Sequence, residues 1–236
     1  MRKERALLKI SGETLGTLGN GNFDPVSLHN QAQEIVSVED RFELAIVVGG
    51  GNLIRGKDLM PKLNLKDQSE IDFAGMLATV INAKVLGVLL KKHYGLDVRV
   101  MSAIDMNRVA EPYIIGRAVR HLEKGRVIIL AGGTGNPFTS TDSAMTLRGH
   151  ELEAKHILKG TKVDGVFDKD PVTHADAKLL PHVSYQHFIE MNLGIIDAEA
   201  IAFARKCKLP IRVFNIFKKG NLRRVLVDGD IGSEIS

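Results

Sequence analysis

Residues 44–52 read LAIVVGGGN, and residues 127–135 repeat the form as VIILAGGTG. Each is a near-continuous apolar run that breaks off in glycines. A run with no polar alternation suits a strand covered on both faces, as in a parallel sheet packed between helices. In such sheets ligands collect beyond the carboxyl ends of the strands, where both glycine clusters would lie.

The surrounding chain keeps the same rhythm. Residues 5–10 (RALLKI) read as a first strand ending at Ser11-Gly12. Asp24-Pro25 suits a helix N-cap followed by proline in the first turn, and Leu28, Ala32, Ile35 and Val36 give that helix an apolar face. A long helix is expected from about Glu70 to His93, with Gly95 as its C-cap. Residues 98–101 form a third strand, and a further helix ends near Gly125. A helix from Thr141 to about Ala154 and strands over 156–158 and 211–214 follow, with a loop-rich stretch over 161–181. No linker, repeat or composition break divides the chain. The alternation predicts a single α/β domain over residues 1–236, a three-layer sandwich with a mostly parallel central sheet.

Composition excludes several classes. The 236 residues are 44% apolar and 25% charged, with a formal net charge of +4, the ordinary mix of a globular protein. The basic excess contains no run of five Lys or Arg, and aromatics make up only 5% with no Trp. Neither a basic stripe nor a stacking platform for nucleic acid is therefore expected. Cys207, the only cysteine, cannot pair within the chain and reads as a packing residue of an apolar helix. The short apolar stretch near the N-terminus is too brief for a secretory leader, and no uninterrupted apolar run reaches membrane-span length. A cytoplasmic protein with no membrane partner is the expectation.

Several residues carry chemistry. Lys9 interrupts an apolar strand immediately before Ser11-Gly12. It either carries its ammonium to solvent at the strand end or meets a phosphate there. Three glycine turns follow three strands: Ser11-Gly12, Gly49-Gly50-Gly51-Asn52, and Gly132-Gly133-Thr134-Gly135-Asn136. Lacking a Cβ, they let backbone N–H groups approach phosphate oxygens closely. Arg55 adds a planar fork suited to the same oxygens. The stretch Gly51 to Lys57 nearly matches a P-loop, but Asp58 stands where a magnesium-binding Ser or Thr is needed, and Pro61 follows where a helix should run. Residues 134–143 place five hydroxyl side chains ahead of a helix, serving either as an N-cap turn or as donors to a nucleotide. Asp72 is either an ordinary acid of a helix's first turn or an acceptor for a ribose diol. Residues 162–171 (KVDGVFDKDP) combine apolar and acidic groups in a loop, as ligand walls often do.

Together these segments resemble the bacterial UMP kinases of the amino-acid-kinase family. The likeness runs from LLKISGE (residues 7–13) through GGGNLIRG (49–56), GMLATV (75–80), GTGNPF (133–138), TDSA (141–144) and TKVDGVFDKDP (161–171) to LPIRVFN (209–215). It implies about eight mainly parallel strands between helical layers, and a homohexamer built from dimers. The implied reaction is transfer of the ATP γ-phosphoryl group to UMP, with Mg2+ carried on ATP, in pyrimidine nucleotide synthesis. By position, Lys9, Ser11, Gly12, Gly51 and Arg55 match ATP-phosphate contacts, and Thr161, Phe167 and Asp170 match residues around adenosine. Gly50 and Asp72 match UMP contacts. Thr134, Gly135, Asn136, Pro137, Phe138, Thr139, Ser140 and Thr141 match the loop holding the uracil and phosphate of UMP. Lys9, Arg55, Asp142 and Asp197 match the catalytic positions. No residue matches a protein metal site.

Two departures stand out. Thr139 replaces a common second Phe, and Ser140 replaces a usual Thr. Residues 17–22 (TLGNGN) match the region linked to GTP activation in some members, and UTP is the other effector the resemblance brings. The rival readings are a kinase of the same fold acting on a carboxylate or carbamate, and a non-catalytic nucleotide-sensing or storage protein. The polar loop at 134–141 and Asp72 favour a nucleotide acceptor over a small acid.

Overall fold

The computed structural model describes residues 3–16 and 23–236, so the GTP-linked segment 17–22 lies outside the described residues. Among these, nine strands form one sheet: β1 (Glu4–Ile10), β2 (Phe42–Val48), β3 (Val98–Ser102), β4 (Glu111–Pro112), β5 (Val127–Ala131), β6 (His156–Thr161), β9 (His182–Val183), β10 (Ile211–Asn215) and β11 (Ser233–Ile235). Between β6 and β9 the chain adds a separate antiparallel pair, β7 (Val166–Phe167) with β8 (Leu179–Leu180). The main sheet runs β4-β3-β5-β2-β1-β6-β10-β11-β9. It is parallel except where β11 meets β10. The expected mainly parallel sheet is present. The short edge strands β4, β9 and β11 carry too few residues to be visible as periodic sequence.

The helices are α1 (Pro25–Glu39), α2 (Gly56–Leu63), α3 (Gln68–Lys92), α4 (Ile115–Glu123), α5 (Thr141–Glu151), α6 (Tyr185–Glu190), α7 (Ala198–Cys207) and the single turn α8 (Asn221–Arg223). Strand alternation divides the core into two layers. Leu8, Ile10, Ile46 and Val48 point toward α1, α3 and α8 and pack on Leu28, Ile35, Leu86 and Leu222. Leu7, Ala45, Val47 and Ile157 point the other way and pack on Met145, Ile201 and Ala204 of α5 and α7. The parity that buries Leu7 and Ile157 also turns Lys9 and Lys159 toward the α5 layer. One face of the sheet therefore receives two lysines.

Three local expectations need correction. A helix does follow the glycine turn: α2 carries Pro61 inside it and ends at Asn64, in left-handed conformation. A helix this short tolerates the missing proline N–H because only one internal bond is lost. The long helix is capped at its start by Asp67, whose carboxylate accepts from Ser69 and Glu70 N–H, so Asp72 is free of any capping task. At the other end His93 is the cap, and Gly95 lies two residues beyond with φ 73° while Leu96 N–H returns to the Leu90 carbonyl. Finally, α3 is long and apolar enough to cross a membrane by length and composition, yet half of its most apolar stretch is buried inside the protein. It is a core helix packed on β3 and β5.

Candidate active site

The glycine turns after β1 and β2 touch. A Cβ on Gly12 would come within 2.7 Å of the Gly51 amide nitrogen, and one on Gly49 within 3.0 Å of the Gly12 nitrogen. Two buried polar residues of α3 hold the turns from beneath. Asn82 Nδ2 donates to the Gly49 carbonyl at 2.7 Å and to Asn52 Oδ1 at 2.7 Å. One helical turn earlier, Thr79 Oγ1 accepts the Gly132 N–H at 2.7 Å. A single helix thus positions the β2 and β5 turns together. Neither residue stands out in the sequence, where both look like polar interruptions of an apolar helix.

Three charged side chains are buried at the carboxyl ends of β1 and β6. Lys9 and Lys159 are paired positions on these adjacent strands, and Asp142 in the first turn of α5 lies between them. Lys9 Nζ is 2.9 Å from Asp142 Oδ1, while Lys159 Nζ bonds Oδ2. Ser140 caps α5 by accepting the Asp142 and Ser143 N–H groups at 3.1 and 3.2 Å, which fixes where the Asp142 carboxylate emerges. Burial opposes ionisation of Asp142, but the two ammonium groups overcome it and hold its carboxyl below the usual range. Burial, reinforced by the nearby Lys9 charge, pushes Lys159 down to about 8 against the pull of Asp142 and Asp197. Lys159 was missed from sequence, although HILKGT (156–161) carries the same pattern as LLKISG: a lysine in an apolar strand just before a glycine.

Two clefts lie among the loops, and Ser140 and Thr141, immediately before Asp142 in the chain, line the first. The first, about 420 Å³, is bounded by Gly50, Gly51, Arg55, Asp72, Thr134, Thr139, Ser140 and Thr141, with Ile71 and Met76 supplying apolar wall. Most of the residues matched to UMP therefore meet in one place, and Gly51 and Arg55 join them there. Asp72 Oδ2 accepts the Phe138 N–H at 2.8 Å, bridging α3 to the loop before α5. Phe138 has φ 61° and is 63% exposed. Its ring lies outside the inner cleft, in an adjoining groove of about 580 Å³ that it shares with Asp197. Asn136 and Pro137 line neither space. The Asn136 backbone instead ties the loop to itself, its N–H bonding Thr134 Oγ1 and its carbonyl accepting from Thr139 Oγ1.

The second cleft, about 360 Å³, is lined by Val163, Phe167, Asp170, Leu193 and Ile195 among others. Phe167 and Asp170 both line it. Thr161 does not line it. Its hydroxyl caps the strand end by donating to the Val163 carbonyl at 2.8 Å. Asp197 is exposed at the N-cap of α7, and its own amide reaches Asp142 Oδ2 at 3.4 Å. Glu13, also missed, spans the two sides: its carboxylate pairs with Arg55 on one cleft and with Lys162 on the loop leading to the other. Among the described residues no group of three or more His, Cys, Asp or Glu converges as a metal cage.

The chain as a whole has counterparts among known proteins. The model of the amino acid kinase family matches residues 4–215. A uridylate kinase from Wolinella succinogenes is 47% identical over 98% of this chain and 95% of its own length. Among solved structures, a UMP kinase from Bacillus anthracis superposes with a TM-score of 0.94 at 37% identity, covering 100% of this chain and 97% of that one. A UMP kinase from Ureaplasma parvum gives 0.93 at 32% identity, with full coverage of both chains.

Proposed function

The chain belongs to the amino acid kinase family, and on that premise we propose that it is a UMP kinase, transferring the γ-phosphoryl group of ATP to UMP and releasing ADP and UDP. The observation that carries the reading is the buried Lys9–Asp142–Lys159 centre at the carboxyl ends of β1 and β6, with Ser140 and Thr141 beside Asp142 lining a cleft that also holds Arg55 and Asp72. UMP occupies the cleft of Asp72 and Thr134, and the adenosine of ATP the cleft of Phe167 and Asp170. The phosphates meet between them.

Phosphoryl transfer has a loose transition state with charge spread over the moving oxygens, so positioning and charge neutralisation are the protein's task. Each pair of unit charges about 4 Å apart repels by roughly 4 kcal/mol at an effective dielectric near 20. Lys9 and Lys159 supply opposing charge from one wall, Arg55 from another, and the glycine amides hold the remaining oxygens. Asp142 keeps the two ammonium groups apart and aimed. The attacking UMP oxygen is already ionised near neutral pH, since the second phosphate pKa is about 6, so no general base is needed. Magnesium enters on ATP, and among the described residues no acidic cluster forms a protein cage for it. When bound, magnesium would neutralise charge on the transferring phosphates.

Assembly and regulation are part of the proposal. Phe73, Leu77, Ile81 and Val88 of α3 are 38–54% exposed and recur along one helix face, a stripe suited to a second copy of the chain, and the assembly the family resemblance implies is a homohexamer built from dimers. GTP and UTP are carried as candidate effectors, the protein acts as one domain, and a cytoplasmic setting fits its substrates. ADP release measured across nucleoside monophosphates, with and without GTP and UTP, tests the function. Turnover with UMP supports it, whereas turnover only with a small carboxylate or carbamate would replace it with the rival kinase reading.

A further inference from the structure

Arg148 is a buried cation that the transfer chemistry does not use. It lies two turns into α5 and is 6% exposed. Its Nη2 donates to the Gly133 and Thr134 carbonyls at 3.4 and 3.2 Å, and its Nη1 to Glu151 Oε2 at 2.7 Å. The guanidinium stacks over Tyr113 with its carbon 4.1 Å from the ring centroid. Tyr113 OH donates to the same Glu151 oxygen at 2.8 Å, and the Tyr113 N–H is bound to the Ser102 carbonyl. The ring covers one face of the guanidinium while Glu151 and two carbonyls hold its terminal nitrogens, so its orientation is determined by α5, by the end of β3 and by the ring.

The two carbonyls it holds belong to the loop whose Gly133 and Thr134 line the acceptor cleft. A trans peptide points its C=O and N–H in opposite directions. Binding the Gly133 carbonyl from behind thus turns the Thr134 N–H to the side away from the guanidinium. Gly133 has φ 58° and Gly135 φ 87°, so the segment is one that could adopt several shapes without such a tether. Thr134 Oγ1 then meets Thr139 Oγ1 at 2.5 Å, completing the loop's polar wall. Burying a guanidinium is costly unless its donors find partners, and here Nη1 is held by Glu151 and Nη2 by the loop that faces the acceptor.

We infer that Arg148 is a positioning residue for the acceptor nucleotide, setting the shape of the 133–139 loop from behind through two backbone carbonyls without touching substrate. The inference rests on the acceptor cleft being the UMP cleft. A lysine at 148 keeps the charge but lacks the planar fork, and it cannot serve Glu151 and both carbonyls at once.

The test is steady-state kinetics of Arg148→Lys and Glu151→Gln, with KM for UMP and for ATP measured separately and folding checked by thermal unfolding. Small misplacements of a substrate-positioning group cost up to about a hundredfold. Arg148→Lys is therefore expected to raise KM for UMP by about 10- to 100-fold while KM for ATP stays within about twofold. Glu151→Gln should shift KM for UMP in the same direction by a smaller factor, and it carries the test if Arg148→Lys does not fold. A folded variant with unchanged KM for UMP, or one in which both KM values rise together, overturns the role. Wild-type protein that shows ATP turnover but none dependent on UMP would refute the cleft assignment, and this inference with it.

Discussion

Lys9 and Lys159 stand opposite each other on neighbouring parallel strands, with the two oxygens of Asp142 shared between them. Two ammonium groups buried at one strand end would repel each other severely in the absence of that carboxylate. The arrangement holds two positive charges in fixed positions for an anionic group to cross.

If Lys9 acts mainly on the moving phosphoryl group, Lys9→Ala lowers kcat by about 10²–10³-fold, the usual effect of losing one preorganised charge stabiliser. KM for UMP hardly changes. A variant with near-normal turnover removes Lys9 from the mechanism.

Lys159 predicts the alkaline limb of activity. In the unliganded protein its pKa is about 8 against an ordinary 10.5, so its charge is lost as pH rises through about 8 and kcat/KM, which follows free-enzyme ionisation, should fall there. Lys159→Arg keeps the charge at all accessible pH, and its limb should move upward by more than one pH unit. Stability responds with the opposite sign. Between about pH 8 and 10.5 the unfolded chain holds the Lys159 proton that the folded chain has released, so this group alone makes unfolding harder as pH rises. A pH–rate profile identical in both proteins would assign the limb elsewhere.

Asp72→Asn should weaken UMP binding by about 1–3 kcal/mol, since it loses charge both toward a ribose hydroxyl and toward the Phe138 N–H that it holds at 2.8 Å. Calorimetric titration with UMP measures this. Unchanged affinity counts against Asp72 as an acceptor-site residue.

Thr79→Val leaves the buried Gly132 N–H without its 2.7 Å partner. The expected loss is about 1–3 kcal/mol of stability, read by urea unfolding with an unchanged m-value. KM for UMP should rise as well, because the turn that Gly132 begins leads into the loop proposed to hold the acceptor. A loss under about 0.5 kcal/mol would show that the turn does not depend on α3.

Gly12→Ala tests the contact of the first two glycine turns. Its methyl would meet the Gly51 nitrogen at 2.7 Å, a backbone atom that cannot step aside, so the turns must part. Affinity for ATP should fall by about tenfold or more, given the cost of overpacking of about 1–3 kcal/mol. Normal ATP affinity in a folded variant would mean that the turns act independently.

Much of this architecture was legible along the chain. Apolar runs ending in glycine announce covered parallel strands, and Lys9 is conspicuous because a charge interrupts such a run. Lys159 carried the same mark and could have been read the same way. Pro61 misled in the opposite direction: a proline argues against a helix interior, but the lost bond is tolerable in eight residues. Asp72 and Phe138, 66 residues apart, gave no linear cue to their pairing.

Periodicity and turn chemistry are local properties of the chain, so the amino-acid order alone specified the alternating strands and helices, the glycine turns at strand ends and the position of Lys9 at the end of the first strand. The partners of those groups depended on which strands became neighbours and where α3 and α5 crossed them. Insertion of β1 between β2 and β6 put Lys9 beside Lys159, and the packing of α3 across β3 and β5 brought Thr79, Asn82 and Asp72 under loops distant in sequence. Such contacts arise from burying two apolar layers at once, a global constraint that no short stretch of sequence records.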